Sequence, residues 1–304
     1  MNGRPAARVT ALLLIFAIAF ARAAAGPDTL GVSSAAGTAA DTTDQSPDAV
    51  RLAVVGGTVV LGMAAVHVYQ QSGWWKDNQT SFHFREDLDY GKGVDKLGHF
   101  YGATVLTFLF SRSLEWAHLS REHALLLGAG TSLLFQTYVE VRDGFSAWGF
   151  DRVDFLANVG GAFYPVIQHH VPLLRSFNMK FSYHPSELLD NPGGIGFRGQ
   201  KHIMFDDYEG QTFWLSMKVD NLLPSGAKPF WPDWLDIVVG YGARQVASPE
   251  AHGIYLIGID FDMTRIIPQD TAFLRTLSEA LNFIRLPAPA VQVSPNAVWY
   301  GLYF

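Results

Sequence analysis

Asp95-Lys96-Leu97-Gly98-His99-Phe100 opens an apolar stretch that runs on to Trp116, and how that stretch folds decides the architecture. Three polar side chains, Asp95, Lys96 and His99, stand at the start of a segment rich in Leu, Phe and Gly. Such a segment buries most of its surface as a helix, and a buried charge is costly unless it is paired, hydrogen-bonded or bound to a metal. Matching partners occur twice downstream. Glu140-Val141-Arg142-Asp143-Gly144 ends one apolar stretch, and Asp151-Arg152-Val153-Asp154-Phe155-Leu156-Ala157-Asn158 begins another. Asp95 and His99, Glu140 and Asp143, and Asp154 and Asn158 fall three or four apart, so each pair shares a helical face. Antiparallel packing of the three segments would bring all three pairs to one end of a bundle.

Working outward, a further apolar segment lies upstream. The chain thus predicts about four helices, roughly 50–70, 96–116, 122–140 and 153–170, free of internal proline until Pro165. Gly98 and Gly102, four apart on one face, and Gly161 are read as structural, allowing backbones to approach as they do between membrane helices. The charge-free windows 97–111 and 123–139 fall short of the ~20 residues that cross a bilayer upright. A membrane-embedded bundle and a buried periplasmic one therefore both stay open. Trp74, Trp75, Trp116 and Trp148 lie near the segment ends, where they would serve as an interfacial belt or as rim packing.

Beyond Pro172 the texture changes. In 211–219 and 255–262 large apolar residues alternate with smaller or polar ones, and 178–183, 236–243 and 298–304 read similarly, so these are strands. The span 269–284 reads as one further helix. The expected fold class is α+β: a bundle of about four apolar helices followed by an antiparallel β region with one further helix. The terminal alternation of Val298, Tyr300, Leu302 and Phe304 also resembles the last strand of an outer-membrane barrel, which leaves a barrel with an appended helical domain as an alternative.

Composition sets the address. With 49% hydrophobic and 16% charged residues, the chain is more apolar than an ordinary soluble protein. A net charge of −6 offers no basic face to a phosphate backbone, so nucleic acid is excluded as a partner. Arg4 and Arg8, the apolar run Val9 to Phe20 and the small residues at 21–25 fit a signal peptide over residues 1–25, with an uncleaved anchor as the alternative. Either predicts export to the cell envelope. Residues 26–48 read as a disordered linker, 49–172 as the helical bundle and 173–304 as the β-rich region. The absence of cysteine excludes disulfides, thiolate metal sites, a thiol nucleophile and a cysteine-linked lipid.

Three readings of the polar pairs remain open. Asp95 and Asp154 suit helix first turns, and Lys96 or Arg152 would neutralise a carboxylate, giving a purely structural interhelical cluster. Alternatively Lys96, Asp143, Asn158 and Arg152 would bind a membrane lipid or envelope glycan headgroup. In the third reading His99, Glu140 and Asp154 are catalytic acid–base groups, and His99, Glu140, Asp143 and Asp154 are ligands of a possible divalent metal. The charged loop 85–93 would cover the site or simply connect. His67 reads as a satisfied core residue, His169 and His170 as capping. No phosphate-binding Gly-rich loop, Gly-x-Ser-x-Gly elbow or His-Glu-x-x-His occurs.

At Asp95-Lys96-x-x-His99-Phe100, Glu140-x-x-Asp143-Gly144 and Asp151-x-x-Asp154-x-x-x-Asn158-x-x-Gly161 the sequence resembles the YfiM-like family of periplasmic proteins of unknown function. Later stretches, among them Lys180-Phe181-Ser182-Tyr183-His184-Pro185 and Asp207-Tyr208-Glu209-Gly210-Gln211-Thr212, look like the extended version found in Bacteroidetes-type bacteria. The helical half is also distantly similar to VanZ-like membrane proteins. The resemblance implies an envelope location and no settled reaction; lipid anchoring, common in the family, lacks its cysteine here.

Overall fold

The computed structural model describes residues 46–73, 75–76, 79–189 and 204–304. The expected signal peptide, most of the linker and Trp74 lie outside the described residues. Four long helices come first: α1 (Ala49–Ser72), α2 (Val94–Trp116), α3 (Arg121–Gly144) and α4 (Arg152–His170). Side chains that accept backbone N–H groups set three of their starts. Asp48 caps α1, Ser120 caps α3 and Asp151 caps α4. Gly93, at φ 79°, leads into α2 with the left-handed backbone that glycine adopts freely.

α2 lies centrally, between α3, α4 and the sheet. Buried hydroxyls rivet it to its neighbours: Thr104 and Thr107 donate to the carbonyls of Gly161 and Ala162, both at 3.0 Å, and Ser132 donates to that of Ala103 at 2.8 Å. The α2–α4 crossing requires Gly161, because a Cβ there would sit 2.0 Å from the Phe100 carbonyl oxygen. Gly98 and Gly102 do not have that role. A Cβ at either would meet its nearest neighbour at 3.6 Å, an ordinary contact, and the second tight approach falls at Gly128 instead.

The remaining chain forms β1 (Phe177–Tyr183), β2 (Gln211–Met217), β3 (Leu235–Arg244), β4 (His252–Phe261), helix α5 (Ala272–Leu281), β5 (Ala288–Ser294) and β6 (Val298–Tyr303). The six strands make one antiparallel sheet in chain order. The α+β architecture is as the sequence leads one to expect. β5 is the strand it hides, since Pro289 argues against a central strand; the ladder shifts register between Ala288 and Ala290, where a proline is tolerated.

No closed barrel is present among the described residues. The free edge of β1 takes the segment after α5, through Phe181 N–H to Phe283 O and Arg285 N–H to Phe181 O, both 2.9 Å, instead of β6. One sheet face surrounds Trp214, Val238, Ile254 and Leu256. On the other, Phe181, Phe213 and Tyr241 pack against Val94, Leu97 and Tyr101 of α2, so bundle and sheet share a core.

α1 and α3 are each 24 residues long and apolar enough to cross a membrane by length and composition. Val54, Val60, Leu61 and Val68 of α1 and Leu126, Leu127 and Leu134 of α3 are exposed. Trp75 belongs to no surface belt: it is 1% exposed and donates its indole N–H to Asp143.

Candidate functional site

The ends of α2, α3 and α4 predicted to meet do meet. α2 begins where α3 ends and α4 begins, and Asp95, Lys96, His99, Glu140, Asp154 and Asn158 form one cluster there. Lys96 Nζ lies 3.0 Å from Asp95, 2.8 Å from Asp151 and 2.9 Å from Asp154. Asp151, which the sequence places in the motif without a role, belongs to the cluster as well. Its Oδ1 takes the Val153 N–H at 2.7 Å, while its Oδ2 takes Lys96 and, at 3.1 Å, the backbone N–H of Asp87. Loop 85–93 thus borders the cluster.

His99 stands on the other side of these carboxylates. Its Nδ1 is 3.2 Å from Asn158 Oδ1 and 3.4 Å from Glu140 Oε1, and its Nε2 is 3.7 Å from both Asp95 Oδ1 and Asp154 Oδ2. Gln136 donates to Asn158 Oδ1 at 2.9 Å, and Tyr208, from the segment before β2, donates to Asp95 Oδ1 at 3.0 Å. Neither was singled out in the sequence. Nothing in the pattern of α3 marks Gln136, and Tyr208 lies 113 residues from its partner.

Asp143 faces away, towards Trp75 at 2.6 Å. Arg152 is outside the cluster, paired with exposed Glu86 and lying over Phe84. His67 pairs with Tyr138, as a core histidine does. The ligand-bearing atoms that converge within 4.8 Å are those of Asp95, His99 and Asp154, so Asp95 stands where Glu140 and Asp143 were expected to join the set.

Four carboxyl groups, of Asp95, Glu140, Asp151 and Asp154, surround one lysine and one histidine, with Asp143 buried behind them, and the protonation equilibria reflect that excess. Burial pushes Glu140 up to about 8, against the attraction of His99. Burial likewise raises Asp143 to about 7, and burial together with Asp95 raises Asp154 to about 6. For His99 and Lys96 burial opposes the charged form, yet the neighbouring carboxylates outweigh it and hold both pKa values above their ordinary range. Asp151, despite some burial, is held below its usual value by Lys96 and by backbone N–H groups. The site is not sealed, since the His99 side chain keeps 22% of its surface exposed. It can hold a cation, exchange protons or bind a polar headgroup.

Residues 82–170 match the family model described as predicted periplasmic lipoprotein (DUF2279), a span that holds every α2, α3 and α4 residue of the cluster but neither α1 nor the sheet. No curated protein and no solved structure matches the chain. The match spans less than a third of the chain, and its description agrees with an exported, envelope-associated protein.

Proposed function

We propose that this is a membrane-associated envelope protein whose polar cluster recognises the headgroup of an envelope lipid or a lipid-linked cell-wall precursor. One observation carries the reading: a partly open cluster of charged groups sits at one end of a bundle whose flanks expose Val54, Val60, Leu61, Leu126, Leu127 and Leu134. Apolar flanks of that kind seat in acyl chains, which puts the end of the bundle at headgroup level. The residues that carry the YfiM-like and VanZ-like resemblance are those of the cluster, which fits a shared envelope ligand.

The test is the lipid that accompanies the protein. Full-length chain extracted in mild detergent is expected to carry one lipid class enriched over the bulk membrane, and Lys96→Gln is expected to lose the enrichment. Equal lipid profiles in both proteins, with both folded, would overturn the reading. A second, enzymatic reading draws on Glu140 beside His99 Nδ1 at 3.4 Å, a carboxyl–imidazole pair suited to moving a proton. Turnover of the enriched lipid by the wild type but not by His99→Gln would select it.

A further inference from the structure

We infer that the cluster holds a divalent cation between His99 Nε2 and the carboxylates of Asp95 and Asp154; the inference rests on the headgroup-site reading above and names the group through which an anionic headgroup would be held. The geometry of the ring is the first observation. His99 Nδ1 faces the Asn158 amide oxygen and Glu140, which fixes one N–H on that side and leaves Nε2 as the nitrogen that gives up its proton when a cation binds. Nε2 points at two carboxylate oxygens, each 3.7 Å away and too far for a hydrogen bond. A tetrahedral ion with bonds of ~2.1 Å places its ligand atoms ~3.4 Å apart. The two nitrogen–oxygen distances therefore need a contraction of a few tenths of an ångström to close on a metal, and the three ligand atoms lie within 4.8 Å of one another.

Charge and the surrounding shell agree with this. Asp95, Asp151 and Asp154 bring three negative charges to one Lys96 ammonium, and a divalent ion that takes the proton's place on His99 completes neutrality. A metal-binding imidazole characteristically gives its other N–H to a carboxylate or amide oxygen, the position Glu140 and Asn158 occupy. Asn158 supplies an independent observation. It is 0% exposed, and among the described residues its Nδ2 has no hydrogen-bond partner although the residue adjoins His99. A buried amide donor left alone costs about 1–3 kcal/mol, and a metal-bound water or a headgroup oxygen would accept from it. One nitrogen and two carboxylates suit zinc or manganese.

The test is titration of the full-length, chelator-stripped protein in detergent with Co²⁺, whose visible spectrum reports nitrogen and oxygen ligation. The expected result is one Co²⁺ per chain, bound at least about tenfold more weakly by Asp95→Asn and Asp154→Asn and about tenfold more weakly by Asn158→Ala. Asp89→Asn, which alters an exposed carboxylate in the loop nearby, should bind as the wild type does. A folded wild type that takes up no Co²⁺, or binding indifferent to both aspartate changes, overturns the inference. Should one variant fail to fold by circular dichroism, the other and the wild-type titration still decide. Lipid enrichment is measured separately with chelator present: if it persists while the titration fails, the cation falls and the headgroup reading stands, and if both fail, both fall.

Discussion

Asp236 and Asp260 face each other across β3 and β4 with one hydroxyl between them. Ser216 Oγ is 3.1 Å from Asp236 and 3.0 Å from Asp260, and Lys180 Nζ reaches Asp260 at 2.6 Å. A single hydroxyl proton cannot serve two carboxylates. Ser216 therefore donates to the Lys180-paired Asp260 and accepts from a protonated Asp236. Burial, with Asp262 nearby, pushes Asp236 up to about 7, against Lys180 and Lys218. The folded chain thus holds a proton that the unfolded chain releases at about pH 4, and this contribution to stability falls as pH rises from about 4 to about 7. Asp236→Asn, neutral at every pH, should lose less stability than the wild type between about pH 5 and about pH 8 in denaturant unfolding. Equal losses would mean that Asp236 is ionised throughout. The sequence could not reveal this cluster, although it revealed the strand that carries Asp260. Alternation defines two faces without saying which one is covered: Leu256, Asp260 and Asp262 are buried, whereas Tyr255 and Ile257 are exposed. The bundle's cluster was legible for a different reason, since charges at the ends of long apolar helices have few places to go.

At the scale of the element, α4 shows how a helix carries an internal proline. Pro165 has no N–H to give to the carbonyl four residues earlier, that of Gly161, and the Thr104 hydroxyl from α2, shared with the Phe100 carbonyl of its own helix at 2.8 Å, reaches this carbonyl instead at 3.0 Å. Two apparent local faults, a helix-breaking proline and a glycine in a helix, thereby become one interhelical joint. Thr104→Val should destabilise the protein by about 1–3 kcal/mol, because a buried carbonyl is left unpaired. In a Pro165→Ala background, where the helical N–H returns, the same change should cost clearly less. Thermal or denaturant unfolding of the four proteins forms a double-mutant cycle, and additive losses would refute the coupling. The limits of α1, α2 and α4 were readable to within about two residues because caps and charges punctuate them, whereas α3 runs four residues past Glu140 and α5 is three residues shorter at each end than expected. The partners across the bundle were not, since hydroxyls such as Thr104 and Ser132 look the same whether they turn to solvent, to their own helix or to a neighbour.

Taken whole, the molecule is two halves around α2. Leu97 and Tyr101 pack on β1 and β2 residues, Tyr101 donates to the Phe283 carbonyl at 2.8 Å, and Arg112 pairs with Glu279 of α5. A chain ending after α4 would uncover that apolar side of α2 and remove Tyr208 from Asp95. Such a truncation is expected to aggregate, or to digest within the bundle under limited proteolysis, where the full chain resists; a monodisperse, protease-resistant bundle would refute this shared core. The outer flank of the sheet, with Val239, Ile257 and Trp299 exposed, extends the apolar surface beyond the helices. The connectivity also sets an order of events. Each strand pairs with its neighbour in the chain, so the sheet can zip up hairpin by hairpin at low loop-closure cost, whereas the Tyr208–Asp95 link must wait for a segment made 113 residues later. A chain part-way through export therefore carries an unfinished cluster, in which Asp95 waits for the Tyr208 hydroxyl until the second half arrives.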